Sequence, residues 1–569
     1  MGGTHQLGLS TRVGSVTSES AIALSDGAEG LNRGGRMYDV LLKNGSIVDG
    51  LGASAYEGDV GIANGWIVAV GDLGGSNGKR EIDVKGLVVA PGFIDMHTHS
   101  EVSLLEIPTA DSKIMQGVTT EVCGNCGFSV APLKRETAEF VRSQRGAAGF
   151  PDANWGWLSV ADYLAVVERT RPSVNVALYM GQGTVRASVM RFANRTPTTS
   201  ELAEMKHLVD VGMRDGAFGM STGLKYVPGV YSSTEEIVEL ARVVARHGGT
   251  YSSHLRNQSD GLAESVCEAI RIGEKANIRV NISHHKVIGR TAEFIGKAQE
   301  TLDLIAEARE KGLDIASDQY PYIMTSGSLT SNFPPWVLEG GMAAFLERLE
   351  DAGIRERIHE DWEKGILGWD NRIKTMGWGN IFICDVFEEV DVQLIGSSVS
   401  DCAAEQKEDP GSFAMDLLIR NGGRVKANTK NQLEENVESI MCHPTTMFGS
   451  DGTESGARSL HPRAYGTFPR ILGRYVREKR LLPLEEAIRK MTSFSASRLD
   501  LGNRGIIRQG AAADITIFDP DTITDKATYT EPRQHPEGIP FVIVNGEVVV
   551  DQGEHTGARA GRVLRHGRE

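Results

Sequence analysis

The sequence predicts an α/β protein, a (β/α)8 TIM-like barrel with a small discontinuous β-sandwich domain built from both ends of the chain and an inserted cap. Three observations carry that prediction. Eight short apolar runs alternate with helical stretches, as parallel strands joined by helical crossovers require. The polar residues that follow those runs fall at their C-terminal ends, the face on which a parallel barrel gathers its chemistry. Both ends of the chain, unlike its middle, read as short strands separated by tight turns.

Residues 1–36 are rich in Gly, Ser and Thr without periodicity and read as a flexible tail. From Tyr38 the text alternates in short strands, with Asn44-Gly45 and Asn64-Gly65 as two hairpin turns. Residues 37–90 form the first part of the sandwich in this reading, and 499–569, with Ile515-Thr516-Ile517-Phe518 and Phe541-Val542-Ile543-Val544, form the second. The barrel occupies 91–498. Its strand candidates are the stretch before His97, then 117–122, 174–179, 216–220, 250–254, 279–284, 314–318 and 446–451. Ser233 to His247 is an outer helix, with Glu235, Glu236 and Glu239 facing out and Ile237, Leu240 and Val244 facing in. Residues 327–440 are too many for a βα loop and read as an inserted cap.

Composition narrows the class of function. The chain has 569 residues, 40% hydrophobic and 24% charged, ordinary values for a globular protein. A net charge of -15 argues against nucleic acid or an anionic membrane as partner. Without a membrane-length apolar run or a signal-type start, a cytoplasmic location is expected. Six cysteines in so long a chain do not make a disulfide framework, so a special cysteine here is a ligand or a nucleophile.

The candidate site lies at the strand ends. His97 and His99 are two residues apart at the end of an apolar run, so their imidazoles point the same way. Alone, the pair is equally a coincidence of two strand histidines. Cys126, His254, His284 and Asp451 occupy the ends of other strands, and together the six make a borderline-soft metal site for which zinc is the first choice. Cys123-Gly124-Asn125-Cys126 spells a Cys-x-x-Cys, but it opens no helix and has no second pair, so one cysteine is enough. Cys123 reads as a small buried residue, and Cys126 as a thiolate able to bridge two cations.

These motifs resemble the amidohydrolase superfamily and, within it, the D-aminoacylases, or N-acyl-D-amino-acid deacylases. The resemblance runs from about residue 37 to the end. It rests on Gly124-Asn125-Cys126-Gly127, Ser221-Thr222-Gly223, Ser253-His254-Leu255-Arg256, Ser283-His284-His285-Lys286, Tyr320-Pro321-Tyr322, Ser450-Asp451-Gly452 and His461-Pro462-Arg463, in that order. It implies a tight zinc on Cys126, His254 and His284, and a second, weaker site on His97, His99 and Asp451 that shares Cys126. It also implies an α-carboxylate clamp of Lys286, Tyr320, Ser326 and Arg463, with Tyr226 beside the scissile amide. One departure stands out: Gln182 occupies a position where many relatives have histidine, and a neutral amide cannot carry a proton.

The implied reaction is hydrolysis of a small-molecule N-acyl-D-amino acid to a carboxylate and a free D-amino acid. Zinc would activate water, Asp451 would act as general base and then acid, and Tyr226 would support the oxyanion. A related hydrolase of cyclic or xenobiotic amides is the alternative on the same scaffold. The preferred side chain and the oligomeric state are not written in the sequence.

Overall fold

The computed structural model describes residues 37–146, 156–454, 458 and 460–568. The tail expected at 1–36 lies outside the described residues.

Eight parallel strands, each hydrogen-bonded to the next in chain order, form the central sheet: β1 (Phe93–Asp95), β2 (Val118–Cys123), β3 (Asn175–Gly181), β4 (Gly219–Gly223), β5 (Thr250–His254), β6 (Arg279–Ile282), β7 (Ile315–Gln319) and β8 (Thr446–Phe448). The ring closes just past β1 and β8. Asp451 N donates to His97 O at 2.8 Å, and His99 N donates to Gly452 O at 3.1 Å. Every residue of β2 and β3 is buried, as expected for strands covered on both faces.

The helix Thr234–Arg246 shows how the outer ring is specified. Ser233 caps it by accepting from Glu236 N, and Ile237, Leu240 and Val244 are buried. Glu236 corrects the sequence reading, because it faces inward. Its carboxylate pairs with the buried Arg186 guanidinium at 2.5 Å and accepts from the Ser232 hydroxyl at 3.0 Å. Helical periodicity places a residue on a face but does not reveal a partner that makes burial tolerable.

Strands from both ends of the chain share one nine-stranded sheet. Ile515–Phe518 runs antiparallel to Val88–Pro91, which joins Met37–Ile47 in the same sheet. Gly92 is the point where the chain passes from this sheet into β1; a Cβ there would lie 2.1 Å from Thr119 Oγ1. The hairpin expected at Asn44-Gly45 is not formed, since Met37–Ile47 is a single strand paired with Tyr56–Ala63 on both sides of an irregularity. Asn44 takes a left-handed φ of 61°, and its amide donates to Asp59, so the extra residue is absorbed as a bulge. Asn64-Gly65 does turn the chain, between Tyr56–Ala63 and Trp66–Gly71.

Between β7 and β8, strands Met324–Ser328, Val425–Lys430 and Ile381–Val386 form a separate antiparallel sheet. Helices cover one face of it around an apolar cluster that includes Phe333, Phe345, Trp362, Ile383 and Leu417. This unit stands over the C-terminal end of the barrel and forms part of the wall of the cavity there.

Candidate active site

Cys126 lies in the turn after β2, His254 ends β5, and His284 lies two residues past β6. Their side chains meet: Cys126 Sγ is 3.4 Å from His254 Nδ1 and 3.1 Å from His284 Nε2. Ordinary zinc–sulfur and zinc–nitrogen bonds at a tetrahedral angle put such atoms roughly 3.5 Å apart. The three ligand atoms therefore fit one zinc-sized cation.

The second cluster shares the same sulfur. His97 Nε2 is 3.3 Å from Cys126 Sγ, His99 Nε2 is 3.2 Å from Asp451 Oδ1, and the ligand atoms of these four residues all lie within 4.8 Å of one another. The assigned strand stops at Asp95, short of both histidines. Extended pairing nevertheless continues, because Thr98 N donates to Val122 O on one side and His99 N to Gly452 O on the other. This preserves the i, i+2 convergence.

Local backbone supports the placement. Cys126, His284 and Asp451 all have left-handed φ values, of 54°, 35° and 50°. Non-glycine residues held there cost of order 1–3 kcal/mol each and cluster at functional sites. Gly124 makes the Cys126 turn possible, since a Cβ on it would lie 1.8 Å from Tyr179 O.

Charge in the site is heavily perturbed. Burial and then Lys286 hold His254 and His284 well below the ordinary imidazole value, leaving neutral rings of the kind a metal requires. Burial alone would raise the Cys126 thiol, but the neighbouring His97 and His99 outweigh it and lower it. Burial also opposes ionisation of Asp451, yet Arg463 and the surrounding imidazoles hold its carboxyl well below the usual range.

Several supporting residues escape the sequence reading. Asp318, in β7, has Oδ1 3.2 Å from His97 Nδ1 and accepts from His284 N at 2.7 Å, so it braces a histidine of each cluster. Asp95 accepts from His97 N and Ser450 N and pairs with buried Lys113 at 2.9 Å, tying the segments after β1 and β8 together. Lys225, next to Tyr226, forms a buried ion pair with Asp370 of the cap at 3.2 Å. Asp370 also holds Arg372 and accepts from Ser259. Their decisive partners are distant in sequence: Asp318 meets His97, Asp95 meets Lys113 and Ser450, and Lys225 meets Asp370.

The expected clamp residues gather on one side. Lys286 Nζ and the Arg463 guanidinium lie 5.0 and 4.7 Å from the Tyr320 ring centre, and the buried Tyr320 hydroxyl has no protein partner. Arg463 Nη1 is 2.8 Å from Asp451 Oδ2. Ser326 and Tyr226 line the same cavity of about 360 Å³, with His99, Cys126 and Asp451. Tyr226 packs edge-on against His254, with ring centres 4.7 Å apart.

Other candidates fall outside the cluster. Cys123 Sγ lies 3.4 Å from Thr98 Oγ1, and burial pushes its thiol well above the ordinary value. His285 turns away to Thr301. Gln182 donates to Ser232 and Glu236 at 2.8 and 3.2 Å, so it belongs to the buried Arg186–Glu236 network.

The sequence pattern of the amidohydrolase family matches residues 80–550. A D-aminoacylase of Alcaligenes xylosoxydans xylosoxydans is 36% identical over 93% of this chain and 97% of its own length. An N-acyl-D-aspartate deacylase of the same organism is also 36% identical, over 93% and 95%. Among solved structures, N-acyl-D-glutamate deacylase from Bordetella bronchiseptica, complexed with zinc and a phosphonate mimic of the tetrahedral intermediate, superposes with a TM-score of 0.78 at 33% identity, covering 93% of this chain and 100% of that one. A crystal structure of D-aminoacylase gives 0.77 at 34%, with the same coverage. With its clustered metal-type side chains at the mouth of a parallel barrel and this similarity along nearly its whole length, the chain belongs to the amidohydrolase family, in the group that contains the D-aminoacylases.

Proposed function

We propose that the protein hydrolyses N-acyl-D-amino acids to a carboxylate and a free D-amino acid. The observation that carries this reading is the pairing of two metal-type clusters with the Arg463 cation at one cavity. Lys286 and Arg463 flank a partnerless Tyr320 hydroxyl, an arrangement suited to a carboxylate. Similarity along nearly the whole chain to a D-aminoacylase, an N-acyl-D-aspartate deacylase and an N-acyl-D-glutamate deacylase supports the substrate class.

In this reading Cys126, His254 and His284 hold the tight zinc, and His97, His99 and Asp451, with Cys126 shared, hold a weaker one. Zinc bound there supplies Lewis acidity and a water of lowered pKa. Arg463 has five N–H donors, enough to keep Asp451 and still grip the substrate α-carboxylate, which Lys286, Tyr320 and Ser326 complete. Asp451, ionised beside Arg463, takes the proton from the attacking water and returns it to the departing nitrogen, which then leaves as an amine. Burial keeps the Tyr226 phenol protonated far above its ordinary range, so it can donate to the developing oxyanion.

The test is hydrolysis of paired D and L N-acetyl amino acids, with hydantoins alongside and zinc content measured on the same sample. Turnover of the D-amides by zinc-loaded protein is expected. Hydantoin opening without D-amide turnover would assign the site to cyclic amides.

A further inference from the structure

The cavity in front of the clusters has two unlike sides. Arg463, which follows β8, lines one side, and Lys286 and Tyr320 follow β6 and β7 with the Tyr320 ring centre 4.7 Å from the Arg463 guanidinium, so positive charge gathers over that arc of the barrel. Across from it, the segments after β2, β3 and β4 contribute Phe128, Ala187, Phe192 and Pro228, and the cap adds Leu338 and Met342. Two polar side chains on this side, Thr184 and Gln144, are already used by the protein. Thr184 Oγ1 donates to Ser129 O and accepts from Ser129 N, and Gln144 Oε1 accepts from Met342 N. Phe128, Ala187, Phe192, Pro228, Leu338 and Met342 therefore make this side mainly an apolar contact surface.

Its walls are also tied together. Tyr231 donates to Pro335 O at 2.6 Å, Gly340 N donates to Phe192 O at 3.4 Å, and the Phe192 ring packs edge-on against Phe140. A groove fixed in this way loses little freedom when it is filled.

A linear N-acyl amino acid carries its α-carboxylate and its acyl chain on opposite sides of the scissile bond. With the carboxylate over β6–β8 and the carbonyl between the clusters and Tyr226, the acyl chain leaves toward β2–β4. We propose that the apolar arm is an acyl-chain subsite, and that the preferred substrates carry a medium- or long-chain aliphatic acyl group in preference to acetyl. The inference rests on the deacylase reading, and it adds which acyl class the site takes. Chain burial in a preformed arm acts on substrate and transition state alike, so it lowers KM more than it changes kcat.

The test compares N-acetyl and N-octanoyl forms of D-methionine and of D-glutamate with zinc-loaded enzyme. At least ten-fold higher kcat/KM for the octanoyl forms, carried mainly by KM, is expected. Ala187→Phe, which fills the arm, should lower kcat/KM for octanoyl at least ten-fold more than for acetyl; if it does not fold, Ala187→Leu serves. Equal or faster cleavage of the acetyl forms would overturn the proposal while leaving the deacylase reading intact. Cleavage of none of the four would overturn the deacylase reading itself. Calorimetric binding of octanoate against acetate then decides the arm, and tighter octanoate sustains it while equal binding ends it.

Discussion

Asp451 faces two ways: Oδ1 lies 3.2 Å from His99 Nε2, and Oδ2 lies 2.8 Å from Arg463 Nη1. An amide in its place keeps the shape and loses the proton acceptor. Asp451→Asn should therefore lower kcat by at least about 100-fold, while metal analysis still finds zinc on Cys126, His254 and His284. Cys126→Ala removes the one atom common to both clusters, and zinc should be lost together with activity; full occupancy in that variant would exclude the thiolate as a ligand. Arg463→Lys keeps a charge near Asp451 but gives up the planar fork, so KM for carboxylate substrates should rise with a smaller change in kcat. That His97, His99, Cys126, His254, His284 and Asp451 meet is legible in the sequence, because each closely follows an apolar strand run or, for His254, ends one. The role of Asp318 is not. It looks like any polar residue at a strand end until the fold brings β7 next to the segment after β1.

Among the elements, the cap is joined to the barrel by the buried Lys225–Asp370–Arg372 group. Burial opposes the charge on Asp370, but Lys225 and Arg372 outweigh it and lower the carboxyl to about 2. Asp370→Asn leaves the buried Arg372 guanidinium without its anion, a change expected to cost about 3–5 kcal/mol, to be read in the denaturant midpoint. For Lys225, burial outweighs Asp370 and lowers the ammonium to about 7. Above that pH the unfolded chain, with an ordinary lysine near 10.4, binds more protons than the folded protein, so the stability from this group rises between about pH 7 and 10. Lys225→Met should shrink that rise, measured as the difference in Tm between pH 7 and 9.5. The sequence placed an insertion between β7 and β8 by its length alone. Which face of the cap meets the barrel depends on charges more than a hundred residues apart, and local periodicity carries no trace of them. The Asn44 bulge makes the same point, since Asn-Gly favours a left-handed residue in a hairpin or a bulge alike and the pairing strand decides.

For the molecule as a whole, the ring of eight strands closes between its two shortest members. β1 and β8 have three residues each, and their join relies on the backbone of His97, His99 and Asp451. The same residues belong to the second cluster, so a cation held by them would tie the two segments together. Chelation should lower the Tm, by up to about 4 kcal/mol of stability at a thousand-fold excess of metal over its Kd, and amide exchange should quicken first at His99 and Asp451. The order of synthesis gives this join a further meaning. Cys126, His254 and His284 are all translated long before residue 446, whereas the join must wait for β8, and Val88–Pro91 must wait longer still for Ile515–Phe518. A nascent chain thus holds all three residues of the first cluster, and all but Asp451 of the second, while its first strand is still unpaired on one edge, and the last hundred or so residues decide when the vessel is sealed.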